Sequence, residues 1–320
     1  MRLRDDIPKD QPELVIGLVN NMPKTASRTT EAQFQRLLDV ASQRQGVRLK
    51  LLTLPACGQS DQDCTPAQAI EPDLVALGHT RVDGVIVTGS EPKAGMITEE
   101  PIWPAVAKLV EWADANTTST VWSCLAAHAA VYYIDGVSRH RLPRKLSGVF
   151  ECAKASDHYL VRDLPPGWTV PHSRQNGLDE ESLTRKGYQV LSRSPRVGVD
   201  MAVKKSKSLF VMLQGHPEYG PDSLSREYRR DVRRFLTDER DSYPDLPESY
   251  FDQHTMTKLY ALRERATRQR DPALLSALDN AVNALPAPTW GDAAASFYAR
   301  WLCYLAENRP NALAGAGKPQ

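Results

Sequence analysis

The chain is poor in the features that would place it in several large protein classes. It has no surplus of charge: 40 basic residues against 39 acidic ones leave a net charge of +1. A general nucleic-acid binder carries a large basic surplus, so that class is excluded, while a small anionic substrate needs only a local basic pocket. No segment approaches the roughly 20 consecutive apolar residues that span a bilayer. The opening MRLRDDIPKDQPELVIGLV carries no apolar run of leader character before its first strand-like stretch. Cysteine is scarce, with five residues scattered at 57, 64, 124, 152 and 303. An odd, dispersed set suits a reducing cytoplasm better than a disulfide framework. Cys57 and Cys64 share a segment, but no companion ligands accompany them, so no metal is expected. Internal repeats are absent, and the only low-complexity stretch is the tail NALAGAGKPQ.

What is present is a 320-residue chain, 41% hydrophobic, long enough to bury a full core. Short apolar runs alternate with amphipathic stretches. Leu14–Val19 is a continuous apolar run of the kind a buried parallel strand shows, Val47–Leu54 alternates toward a second strand, Gly84–Thr88 is a third, and Tyr188–Leu191, Val199–Val203 and Ser208–Leu213 read as further short strands. The segment 29–44 reads as a helix, with Thr30 and Gln33 as a capping box and Phe34, Leu37, Leu38 and Ala41 as its apolar face. Trp103–Ala115 and Leu125–Tyr133 are helical by pattern. This alternation predicts an α/β fold: a doubly wound, mostly parallel sheet with helices on both faces. After about Arg240 a proline-punctuated stretch, DSYPDLPESYFD, leads into helical segments near 256–268, 272–284 and 291–306. The expected organisation is therefore a main domain over 1–240, a helical extension over 241–310 and a disordered tail over 311–320.

Two segments carry chemistry. The β-branched strand Thr118–Ser123 runs into Cys124 and then into a helix rich in small residues, with Ser123, Ala126 and Ala127 around the turn. A thiol at such a strand-to-helix elbow sits above the sheet at a helix N-terminus. There the helix dipole favours the thiolate, and free N–H groups, that of Leu125 first, can hold an oxyanion. The second segment, LFVMLQGHPEYG, places His216 and Glu218 just past the end of an apolar strand, the side of an open sheet where ligands bind. His216 can take the thiol proton and Glu218 can orient its ring. On an extended segment residues i and i+2 point the same way, which would bring the two together. His128, in the helix after Cys124, reads as structural.

This elbow with a strand-terminal GHPE resembles the class I glutamine amidotransferase-like superfamily, and within it the homoserine O-acyltransferase family usually called homoserine O-succinyltransferase. The segments NNMPKTASRTTEAQFQRLL, DGVIVTGSEP, LPRKLSGVFE, VPHSR and GHPEYGPDSLSREYRRD carry the likeness across about two-thirds of the chain. The resemblance implies that Cys124 accepts an acyl group from an acyl-CoA, succinyl-CoA or acetyl-CoA, and passes it to the hydroxyl of L-homoserine in methionine biosynthesis. No permanently bound cofactor is implied. It assigns Cys124, His216 and Glu218 to catalysis, and Lys145, Ser173 and Arg230 to substrate contacts. A guanidinium at Arg230 suits a carboxylate. Aligned without gaps, Lys93 falls at the position linked to donor choice, glycine in succinyl-type and glutamate in acetyl-type members, and a lysine there suits a succinyl carboxylate. The basic run Arg139–Lys145 is either a solvated loop or a partner for CoA phosphates. The elbow departs from the common Cys-Trp-Gly in having Cys124-Leu125-Ala126. Acetyl transfer to homoserine or serine, or glutamine hydrolysis by the same triad, are the alternatives. Small-molecule substrates, no nucleic acid or membrane, a cytoplasmic location and a homodimer complete the expectation.

Overall fold

The computed structural model describes residues 13–42, 46–52, 82–282 and 289–309. Cys57, Cys64 and the tail 311–320 lie outside the described residues. Nine strands form one sheet in the order β2-β1-β3-β4-β9-β8-β7-β5-β6. Its first half is parallel: β1 (Leu14–Val19), β2 (Val47–Leu52), β3 (Gly84–Val87), β4 (Ser119–Ser123) and β9 (Leu209–Leu213). The second half is antiparallel: β8 (Gly198–Lys205), β7 (Gln189–Ser194), β5 (His140–Lys154) and β6 (Gly167–Gly177). The expectation of a mostly parallel sheet therefore describes one half only. Every parallel strand pair is joined through a helix or a longer connection, as parallel pairing demands.

Alternate residues of the central strands feed two separate cores. Val15, Val19, Val85 and Val87 point to one face and join the helices α2 (Trp103–Asn116) and α3 (Leu125–Asp135). Leu14, Ile16, Leu18 and Ile86 point to the other, where α1 (Lys24–Ser42) supplies Phe34 and Leu38. A strand buried on both faces must be apolar at every position, which is why β1, β3 and β9 read as unbroken apolar runs. The helix α1 begins at Lys24, directly after Pro23, whose carbonyl accepts from the amides of Ala26 and Ser27 at 2.8 and 2.9 Å. Thr30 and Gln33 are thus interior residues, and the expected capping box does not form; Gln33 Nε2 instead donates to Ser223 Oγ at 2.7 Å. A short helix α4 (Glu180–Arg185) precedes β7.

The helices beyond residue 240 are not set apart from this body. The last helix, α8 (Gly291–Glu307), inserts Phe297, Tyr298, Trp301, Leu302 and Leu305 into the same core as β1 and α1, and Trp301 Nε1 donates to Ser119 Oγ at 2.9 Å. The helices α6 (Gln253–Arg268) and α7 (Leu274–Ala281) close a third core against α5 (Ser223–Leu236), around Tyr228, Val232 and Phe235. No described helix is long and apolar enough to cross a membrane.

Candidate active site

Strand β4 pairs in register with β9, Ser123 opposite Leu213, so the two chains leave the sheet side by side. Cys124 and the His216 loop therefore emerge at the same edge, as the sequence predicts. Cys124 takes φ 52° and ψ −114°, a conformation that costs a non-glycine residue of order 1–3 kcal/mol and that clusters at functional turns. Its amide donates to Leu213 O at 2.7 Å, which ties the turn to β9. The strain thus falls on Cys124 itself, while Ala126 is already helical; this is why alanine is accepted where glycine is common. Gly89, just past β3, lies against the turn so closely that a Cβ there would come within 2.7 Å of Leu125 N and 2.9 Å of Ser123 O.

His216 Nδ1 lies 2.9 Å from Glu218 Oε1, both side chains being buried. The pairing arises differently from the expected extended i, i+2 geometry. Residues 216–219 form a turn, closed by Tyr219 N donating to His216 O at 3.1 Å, and the Tyr219 ring stacks on the imidazole with centroids 4.3 Å apart. Burial alone would lower the pKa of His216, but the Glu218 carboxylate, aided by the nearby Cys124 thiol, outweighs it and holds the imidazole well above its ordinary 6.5. Among the described residues the three groups thus form a chain Cys124–His216–Glu218.

The thiol opens into a cavity of about 330 Å³, lined among others by Gly89, Leu125, Lys145, Ser173, Glu227 and Arg230. One face of α5 supplies Glu227, Arg230 and Arg234, spaced three and four residues apart as a single helical stripe requires. Two other arginines of that helix point elsewhere: Arg226 pairs with Asp222, and Arg229 lies 3.5 Å from Asp279. Glu227 gathers the predicted contacts. It lies 3.2 Å from Lys145 Nζ, accepts from Tyr219 at 2.6 Å and accepts from Ser173 Oγ. Burial would raise its pKa, yet Lys145, Ser173, Tyr219 and Arg230 hold it below its ordinary value, so it is a fixed anion. Asp231 continues the network, 3.0 Å from Lys145 and 2.8 Å from Arg230.

Lys145, Ser173 and Arg230 are thus brought together with Cys124. Lys93 is not: its side chain is exposed and outside the cavity lining, and its amide donates to the buried Glu100 carboxylate at 3.0 Å. Glu100 also accepts from Arg139 at 2.7 Å, so the 90–100 loop is held by an internal ion pair that turns Lys93 outward. His128 Nε2 donates to Gln214 Oε1 at 3.1 Å, and burial lowers its pKa to about 3; it is a structural imidazole.

Sequence reasoning missed Glu227, Tyr219 and Arg174. Arg174 is buried, donates to Asn176 O at 2.6 Å and to Val197 O, and is coupled electrostatically to Cys124. It stands beside Ser173 in PHSR, so the segment was found while its arginine was not. His172 of the same segment lies 3.3 Å from Asp200, beneath Gly215. With Cys152 these groups approach within 4.8 Å, but Arg174 Nε already lies 3.4 Å from the ring and Ser192 Oγ donates to Asp200 at 2.6 Å. This cluster already carries its own cation in Arg174, a poor fit to a metal, although His172 Nε2 is buried without a hydrogen-bond partner.

The class I glutamine amidotransferase-like fold, with a strained cysteine elbow facing a His–Glu pair, is the class these features define. A glutamine amidotransferase from Methylobacillus flagellatus shares this fold, with a TM-score of 0.52 and 13% identity over 92% of this chain and 96% of that one. The profile of the family described as homoserine O-succinyltransferase matches residues 1–311. A homoserine O-succinyltransferase from Rhodopseudomonas palustris is 48% identical over 82% of this chain and 79% of its own. One from Bradyrhizobium japonicum is 42% identical over 93% and 92%. The chain belongs to the homoserine O-succinyltransferase family.

Proposed function

We propose that this protein moves a succinyl group from succinyl-CoA to the side-chain hydroxyl of L-homoserine, through a thioester on Cys124. The observation that carries this reading is the Cys124–His216–Glu218 chain opening onto a cavity that also presents Lys145, Ser173, Glu227 and Arg230. In the first half-reaction His216 takes the Cys124 thiol proton as the sulfur attacks the acyl carbonyl, the bond from that carbon to the CoA sulfur breaks, and His216 returns the proton to the departing thiolate. The Leu125 amide, at the start of α3, donates to the developing oxyanion. In the second, His216 takes the homoserine hydroxyl proton as that oxygen attacks the thioester, and the Cys124 sulfur leaves. Glu218 keeps the imidazole oriented and favours its protonated form.

Arg230 and Lys145 supply the positive charge for two carboxylates, those of the amino acid and of the succinyl group, and Glu227 suits the ammonium of homoserine. We place the reaction in the cytoplasm, where free thiols persist. Mass spectrometry after incubation with succinyl-CoA alone tests the reading: a succinyl adduct is expected on Cys124 and is expected to vanish on adding homoserine. Absence of an adduct with succinyl-CoA and with acetyl-CoA, together with hydrolysis of glutamine, would replace it by an amidotransferase-type reaction.

A further inference from the structure

An acyl-CoA is a two-ended substrate: its thioester must reach Cys124 while its nucleotide end carries the phosphates. The cavity at Cys124, about 330 Å³, is at the low end of the roughly 300–1,000 Å³ of ordinary ligand pockets. It accommodates an acyl group and an amino acid, not a nucleotide as well. A second cleft of about 670 Å³ adjoins it and shares two lining residues with it, Lys145 and Gln175. Its walls are the start of β5 and the segment 240–245. That segment is anchored further along, where Glu248 N donates to Ser147 O and Val149 N to Glu248 O, each at 2.9 Å.

The shape of β5 at this point has a definite cause. Its pairing with β6 jumps from Arg141–Asn176 to Leu146–Arg174, leaving four residues, 142–145, on one strand opposite the single Gln175 on the other. Such a bulge leaves the extra residues unpaired and bends the strand away from its partner. It sets Arg141 and Arg144 on the lining of the outer cleft and Lys145 at the neck between the two spaces.

The cations here are not equivalent. Lys145 is held by Glu227 and Asp231, and Arg240 by Ser242 O at 2.7 Å with Asp231 3.8 Å away. Arg139, from the same basic run, is buried against Glu100. Arg141 has no ion-pair partner among the described residues. Arg144 is only 3.9 Å from Glu248, a carboxylate already gripped by both the Nε and an Nη of Arg196. The acids of the cleft are Asp231, already paired, and Asp241 and Asp245 on the other wall, the latter 3.9 Å from Arg263. Uncommitted positive charge is therefore concentrated on the bulge.

We infer that the outer cleft seats the nucleotide phosphates of the CoA thioester on Arg141 and Arg144, with the pantetheine arm passing the Lys145–Gln175 neck to Cys124. This rests on the acyl-CoA reading given above. The test compares succinyl-CoA with succinyl-pantetheine, which has the same thioester and no nucleotide, on the wild type and on an Arg141→Ala, Arg144→Ala double variant. The KM for succinyl-CoA should rise about tenfold, the loss two exposed charge contacts can carry, with kcat within about twofold and the KM for succinyl-pantetheine unchanged. Adenosine 3′,5′-bisphosphate should inhibit the wild type competitively against succinyl-CoA, and should lose that potency on the double variant. An unchanged KM for succinyl-CoA, a parallel rise for both donors, or bisphosphate inhibition that is not competitive with succinyl-CoA would overturn the inference. Failure of both donors to acylate wild-type Cys124 would instead sink the acyl-CoA reading on which it stands.

Discussion

Replacing Glu218 by glutamine keeps the size of the side chain and removes its charge, and the structure sets what that should cost. The carboxylate is 2.9 Å from His216 Nδ1. At an effective dielectric of about 20 the attraction is roughly 6 kcal/mol before desolvation. Burial of both groups takes back a large part of this, and breaking a buried pair from one side typically costs about 3–5 kcal/mol. The amide can still accept from the ring, which places Glu218→Gln near the lower end, about 3 kcal/mol. The sign of the pH dependence follows from His216. Its folded pKa is raised above 6.5, so the pairing contributes stability that is fully present below the unfolded value. That contribution is lost as pH rises through the raised folded value. The urea midpoint of the variant should therefore fall furthest behind the wild type below the ordinary imidazole pKa of 6.5, and the gap should narrow as pH rises through the raised folded value. In steady-state assays kcat should fall by about 10³–10⁴, the size of effect seen when a histidine loses its orienting carboxylate. A midpoint difference that does not change with pH, or a kcat loss below about tenfold, would show that Glu218 does not set the state of His216.

Gly89→Ala should lower the rate of Cys124 acylation in single-turnover experiments by about 10²–10³. Its Cβ would meet two backbone atoms of the elbow, at 2.7 and 2.9 Å, and backbone cannot swing aside as a side chain can. Tyr298→Phe should change stability by less than about 1 kcal/mol, because the Tyr298 hydroxyl is buried without a hydrogen-bond partner. Tyr298→Ala, which empties a fully buried site on α8, should cost about 3–5 kcal/mol in the same urea titration. Lys93→Ala should leave the KM for succinyl-CoA within about twofold, as expected of an exposed side chain outside the cavity; a tenfold rise would require the 90–100 loop to turn Lys93 inward.

The parallel half of the sheet was legible because burial on both faces leaves an apolar run that no surface element shares, as in Leu14–Val19 and Leu209–Leu213. Cys124 was legible for a related reason: β-branched strand, cysteine and small-residue helix follow one another without a gap. The hairpin β5–β6 was not. HRLPRKLSGVFECAK is charged, holds a proline and breaks register, and much of it is only partly buried, so its alternation is blurred. The start of α1 was misplaced because Thr30 and Gln33 fit a capping box locally, while Pro23 provides the actual start. Glu227 was invisible because its importance is wholly non-local: its partners come from β5, β6 and the His216 turn, and only their convergence distinguishes it from other acids on an arginine-rich helix. Lys93 lies outside the cavity for the complementary reason, since a position read from alignment says nothing of the Glu100–Arg139 pair that holds its loop.

The chain beyond residue 240 bears on the Cys124 site more directly than its distance from Cys124 suggests. The turn that carries His216 and Glu218 leaves β9 as an irregular loop, and loops need outside restraint to hold a side chain in one place. Part of that restraint comes from this region. Trp290 Nε1 donates to Tyr219 O at 2.8 Å, and Tyr250 donates to Pro221 O. Tyr298 is buried where the charge of Glu218 reaches it. The same region anchors α5, whose inner face holds Glu227 and Arg230, through the core around Tyr228 and Phe235. The sheet therefore fixes the cysteine, while the helices after residue 240 help to fix the His216–Glu218 pair and to back the helix that lines the cavity. A strained thiol is productive only against a partner that cannot drift, and here the sheet and the later helices supply the two halves of that condition separately.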